Sequence, residues 1–198
     1  MYSGSSETHF NIHGDNIVEC EKTLSLITRA LDGEIVNPEG PYDSAVSPLF
    51  QVQVKDHNLT LSFRFFPGFG RWPQDILALV RQRGGLLREA ADAIITRVSP
   101  TCEEPLIALE YCSALPAGNQ AWQRNGRAYS FAKAGIPYVY IAEVGGYELD
   151  ADRDRKSTRI PNPAVPFSYL ALSNSVDTLL AQVVIASPGA DAITRQKY

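Results

Sequence analysis

Cysteine is scarce in this chain of 198 residues, and Cys20, Cys102 and Cys112 have neither an even number nor the close spacing of metal ligands. A disulfide framework is therefore not expected, and the three read as reduced thiols in a cytosol. No apolar run is long enough to span a bilayer, which excludes a helical membrane protein. The first eight residues, Met1 to Thr8, have neither the basic start nor the apolar centre of a secretory leader, so a cytoplasmic location is expected. Positive charge is not in excess: 18 Lys and Arg stand against 22 Asp and Glu, a formal net charge of −4. Any contact with nucleic acid must then come from local basic clusters within an acidic whole. Internal repeats and low-complexity linkers are missing as well. What remains is 44% hydrophobic and 20% charged, the composition of a soluble globular protein, at a length that suits one domain with one core.

The basic clusters are three. Arg81, Arg83 and Arg88 lie close together, Arg124 and Arg127 stand three apart, and Arg153, Arg155, Lys156 and Arg159 crowd a late segment interleaved with Asp150, Asp152 and Asp154. The last of these reads as a solvated face.

Apolar spacing of three and four through Ile17, Cys20, Leu24, Ile27 and Leu31 predicts an amphipathic helix over 16–31, with Asp15 or Asn16 as its N-cap. Glu19 falls at the border of the apolar stripe, where it either points along the core edge or is an ordinary exposed glutamate. Residues 32–48 read as a connection, 49–55 and 59–66 as a hairpin, and 74–82 as a helix ending at Gly84 and Gly85. A strand over 93–98 has Asp92 at its entrance, and a turn at 100–104 leads into a strand over 105–112. A helix over 119–134, with Trp122, Gly126, Tyr129 and Ala132 as its packing face, places Gln120, Gln123, Arg124 and Arg127 on other faces. A strand over 138–144 closes a right-handed crossover. Farther on, a strand over 167–172 and an apolar segment over 176–185 are expected. The C-terminal residues carry no clear stop, so the chain is expected to be part of a longer protein.

Glu110 draws attention because it sits in an otherwise apolar strand. A buried carboxylate costs several kcal/mol unless it is paired or binds a cation. Asp92, on the neighbouring strand, is placed to converge with it. If the partner is a cation, hard Mg²⁺ or Mn²⁺ suits carboxylate oxygens. If it is a side chain, Arg127 is the candidate and Asp92 merely caps its strand.

This order of elements resembles the PD-(D/E)xK phosphodiesterase superfamily, which includes restriction endonucleases and repair nucleases, over roughly residues 10 to 145, with 146–198 as an extension. By that resemblance Ala91 and Asp92 stand at the Pro-Asp step, Glu110 to Cys112 at the (D/E)xK tripeptide, and Glu19 at a first-helix glutamate; Gln120 and Arg124 stand near auxiliary polar positions. The implied fold is α/β, a mixed central sheet flanked by helices. The implied activity is Mg²⁺- or Mn²⁺-dependent hydrolysis of DNA in a restriction or defence setting, with Asp92 and Glu110 as metal ligands. Asp92, Glu110, Arg124, Gln120 and Glu19 would be the catalytic set, and Arg127, Arg81, Arg83 and Arg88 would contact the nucleic acid. Cys112 departs from the pattern, since a thiol cannot supply the fixed positive charge of lysine; Arg124 is the first substitute, ahead of Gln120 and Lys133.

Three alternatives stand beside this reading. A nuclease-fold module could bind nucleic acid without cutting it. A cysteine enzyme could pair Cys112 with His13. His9, His13 and Asp15 could hold a metal, against the plainer reading of surface groups or caps. Further domains, other subunits or a second copy of the chain are the candidate protein partners.

Overall fold

The computed structural model describes residues 8–36, 47–55, 57, 59–68, 76–86, 90–112, 119–144 and 164–186. Its elements are β1 (Thr8–Gly14), α1 (Ile17–Ala30), β2 (Gly33–Ile35), β3 (Leu49–Val54), β4 (Leu59–Pro67), α2 (Ile76–Gln82), β5 (Ala93–Val98), β6 (Glu103–Cys112), α3 (Asn119–Lys133), β7 (Tyr138–Val144), α4 (Ala164–Val176) and β8 (Leu180–Ala186). The eight strands form one sheet in the order β2-β3-β4-β1-β5-β6-β7-β8. It is mixed: β1 runs parallel to β4 and antiparallel to β5, while β7 and β8 are parallel. The expected α/β class, a mixed sheet flanked by helices, is what the chain adopts, and the three strands expected side by side are β5, β6 and β7. Among the described residues no helix is long and apolar enough to cross a membrane. Contacts divide the chain into two compact units. The first holds residues 1–79 and 90–108, and the second holds 80–89 and 109–198, so β6 gives its early residues to one and its late residues to the other.

In the first unit β1 is an interior strand, whereas the sequence reading placed no element before the first helix and took His9, His13 and Asp15 as surface groups or caps. The segment alternates, with Ile12 wholly buried on one face and Asn11 and His13 on the other. Because the second face is polar yet buried, hydropathy alone gave no strand signal. The expected hairpin is present as antiparallel β3 and β4. Its buried Val52, Leu61, Phe63 and Phe65 each contribute about 1.5–3 kcal/mol relative to exposure. The short β2 lies inside the stretch expected to be a connection. Helix α1 starts at Asn16, whose side chain accepts from the amides of Val18 and Glu19. Cys20 and Leu24 bury its inner face. A Cβ at Gly14 would lie 2.6 Å from Cys20 Sγ, so glycine there lets the end of β1 approach the helix.

In the second unit α3 stops at Gly135, whose φ of 70° is the left-handed conformation that glycine adopts without strain. Its inward face is Ala128, Phe131 and Ala132, all essentially buried, while Tyr129 is half-buried with Lys133 over its ring. The expected packing face is thus rotated from the observed one. The side chain of Trp122 lies outside the described residues. The strand expected over 167–172 is instead part of α4. Pro166 fits there because the first-turn amides of a helix have no intrahelical partner. Of the Phe167–Leu172 run, only Tyr169 is fully buried, meeting Tyr138 and Tyr140 edge-on. The strand forms later, as β8.

Candidate functional site

In the first unit, carboxylates gather where β5 begins and α1 starts. The amide of Asp15 donates to the carbonyl of Asp92 at 2.9 Å, tying the entrance of β5 to the start of α1. Glu19 closes the capping box by accepting from the amide of Asn16 at 3.3 Å. Its position one turn into the helix would ordinarily favour the charged form. Partial burial and the nearby charges of Asp92 and Asp15 outweigh that, pushing the Glu19 carboxyl from the usual 4.5 up to about 7. The border position expected for Glu19 therefore has electrostatic content: it is both a cap and a member of a like-charged group. Among the described residues no three His, Cys, Asp or Glu side chains come together as a metal cage.

A second polar cluster in the same unit was not anticipated. Glu103, at the start of β6, is buried and gathers three side chains on its Oε1. Asn11 Nδ2 donates at 2.9 Å, His13 Nε2 at 2.5 Å and Thr96 Oγ1 at 2.5 Å. Burial alone would raise the Glu103 carboxyl, but the bonds from His13, Thr96 and Asn11 outweigh it and hold it below its usual value. His13 is wholly buried and stacks on Phe66. It is no solvent-facing base, which removes the support for a Cys112–His13 enzyme. His9 is exposed and, four residues away in the same strand, lies about 13 Å along from His13. That spacing does not bring His9, His13 and Asp15 to one ion. The one clue in the sequence was the alternation of Asn11 and His13 through Thr8–Gly14.

In the second unit Glu110 is 1% exposed and surrounded by donors. Its Oε1 accepts from Arg127 Nη1 at 2.8 Å and Arg124 Nε at 3.1 Å, and its Oε2 accepts from the Tyr138 hydroxyl at 3.1 Å. The partner that burial demanded is thus a pair of guanidiniums. Arg124 also sits over the Tyr140 ring, 6.0 Å from its centre. Residues 124, 127, 128 and 131 share one helical stripe. Both arginines, expected on an outer face, are consequently turned inward, with side chains only 17% and 20% exposed. Burial and then the charge of Glu110 keep Tyr138 far above the ordinary tyrosine range, so it is a neutral donor.

No protein-family model, curated protein or solved structure matches the chain.

The other expected site residues distribute as follows. Asp92 is half-buried at the mouth of β5 in the first unit and Glu110 belongs to the second. Arg81 is half-buried in the last turn of α2 and Arg83 is exposed just beyond it. Gln120 lies in the first turn of α3 and Cys112 ends β6, their side chains outside the described residues. Arg88 and the basic segment from Arg153 to Arg159 lie outside the described residues altogether.

Proposed function

We propose that the chain is a Mg²⁺- or Mn²⁺-dependent nuclease acting on the phosphodiester bonds of DNA, with Glu19 and Asp92 as the carboxylates that would hold the ion. The observation that carries this reading is the coupling of Glu19 to Asp92 and Asp15, which raises its carboxyl to about 7. Like charges kept together at partial burial are unfavourable by themselves, and a divalent cation relieves them. Two carboxylates suit Mg²⁺, which keeps several waters and is commonly bound by one or two such groups together with substrate phosphate. When bound, the ion supplies positive charge to a phosphate oxygen and makes water more acidic. Arg124 and Arg127 carry two positive charges against the single negative charge of Glu110. Guanidiniums are suited to a backbone phosphate, which they can meet with paired hydrogen bonds. Glu110 and Tyr138 hold those guanidiniums in place within the second unit.

A second reading, a DNA-binding module that does not cut, is favoured by the two guanidiniums on Glu110, which neutralise a carboxylate that the resemblance would give to the metal. Incubating the protein with supercoiled DNA in Mg²⁺ or Mn²⁺ decides between them. The nuclease reading expects nicking or linearisation that EDTA stops, that Asp92→Ala abolishes and that Arg124→Ala slows severely, with Cys112→Ser tolerated. Binding without cleavage in any divalent ion leaves the module. Loss of activity in Cys112→Ser with Asp92→Ala unaffected overturns the metal reading.

A further inference from the structure

We propose that β8 and the adjoining α4 form a self-association surface on which a second copy of this chain docks, pairing β8 with β8 across a two-fold axis. Among the described residues β8 is the outermost strand of the sheet, bonded to β7 alone. The backbone amides and carbonyls along its outer edge ask for an extended partner. Natural edge strands ward off such pairing with lysine, proline or a bulge. β8 reads Leu-Ala-Gln-Val-Val-Ile-Ala over Leu180–Ala186 and contains no charged residue and no proline. Apolar exposure continues along both elements: Val183 and Ile185 are each 40% exposed, and Phe167 and Leu170 on α4 are 74% and 63% exposed.

Charge selects the occupant. The 13 residues of α4 and the seven of β8 carry no Asp, Glu, Lys or Arg, in a chain that is 20% charged. A nucleic acid or charged peptide would find nothing to pair with here. A two-fold contact sets the same patch against itself, so a patch without charge brings no like charges together at the axis. A neutral, apolar, edge-exposing patch is self-complementary in both backbone and side chain, and the antiparallel pairing of two β8 strands follows from the two-fold symmetry. Phe167 and Leu170 supply the large apolar side chains that such an interface needs beside the strand. The inference is independent of any nuclease activity.

Analytical ultracentrifugation of the full chain over a range of concentrations tests it, with amide exchange of Leu180–Ala186 measured at the two extremes. A species of twice 21.8 kDa is expected, with β8 amides markedly slower to exchange at high concentration. The double variant Val183→Lys, Ile185→Lys changes side chains that are already partly exposed. It should weaken the dimer at least about 100-fold with an unchanged circular dichroism spectrum; Phe167→Ser should weaken it less. A monomer throughout the range, or a dimer whose β8 amides exchange equally fast at both concentrations, overturns the proposal. The exchange measurement needs no variant, so it holds even where the lysine pair perturbs folding.

Discussion

At the scale of single residues, three glutamates placed in similar strand or helix contexts end with different chemistry because of what surrounds each oxygen. Glu110 is paired with the charges of Arg124 and Arg127, Glu103 is stabilised by hydrogen bonds from His13, Thr96 and Asn11, and Glu19 meets other carboxylates. Removing the charge of Glu110 leaves two partly buried guanidiniums facing each other. Glu110→Gln should therefore lower stability on the order of 2–3 kcal/mol in chemical denaturation, with Tyr138→Phe costing about 1 kcal/mol. An unchanged midpoint for Glu110→Gln would show that the arginines find other partners at no cost. Glu103→Gln keeps the shape of the buried cluster and loses its charge, so a loss of about 3 kcal/mol is expected from the same measurement. Cysteine reactivity separates in the same way. Burial pushes the Cys20 thiol up to about 12, so alkylation at pH 8 should label exposed Cys102 and spare Cys20 until the protein unfolds.

At the scale of elements, α3 shows how an ionic partner overrides the hydropathy of a helix face. Ranking residues by polarity puts Arg124 and Arg127 outward and Tyr129 inward. The buried carboxylate on β6 reverses this, because two guanidiniums cost less beside Glu110 than a lone carboxylate would cost unpaired. Phe131→Ala should accordingly cost about 3–5 kcal/mol, whereas Tyr129→Ala should cost about 1 kcal/mol. Equal effects would contradict the observed rotation of the helix. At the N-terminus of α1, Asn16→Ala removes both side-chain bonds to the first-turn amides and should cost about 1 kcal/mol.

At the scale of the whole molecule, Glu19 and Glu103 act on pH-dependent stability with opposite sign. The Glu19 carboxyl is raised in the folded protein, so its contribution is fully present below about 4.5 and is lost as pH rises towards about 7. Glu103 is lowered, so its contribution is present above the ordinary glutamate range and is lost as pH falls into the acid. Thermal midpoints in metal-free buffer should therefore peak near pH 5 and decline on both sides. Glu19→Gln should flatten the decline between pH 5 and 7, and Glu103→Gln should flatten the acid limb. A wild-type profile that rises steadily from pH 5 to 8 would contradict the role given to Glu19. In the nuclease reading, Mg²⁺ binding displaces the proton of Glu19, so affinity should climb with pH up to about 7 and level off above it.

The sequence by itself determined the α/β class, the first helix with a cap at Asp15 or Asn16, the hairpin of β3 and β4, and the run from β5 through β7. In each, apart from the face that α3 buries, hydrophobic period and turn residues agree with the final packing, so local preference and tertiary structure point the same way. It also marked Glu110 as a carboxylate in need of a partner and Glu19 as a residue at the edge of its helical stripe. Only the tertiary structure decided that the partner is Arg124 with Arg127, that β1 is an interior strand whose polar face is satisfied by Glu103, and that residues 164–176 coil into a helix ahead of β8. Those outcomes depend on donors brought together from positions up to 92 residues apart, as with Asn11 and Glu103. A buried polar group is stable only once its distant partner is in place, and a one-dimensional pattern of hydropathy carries no record of that partner.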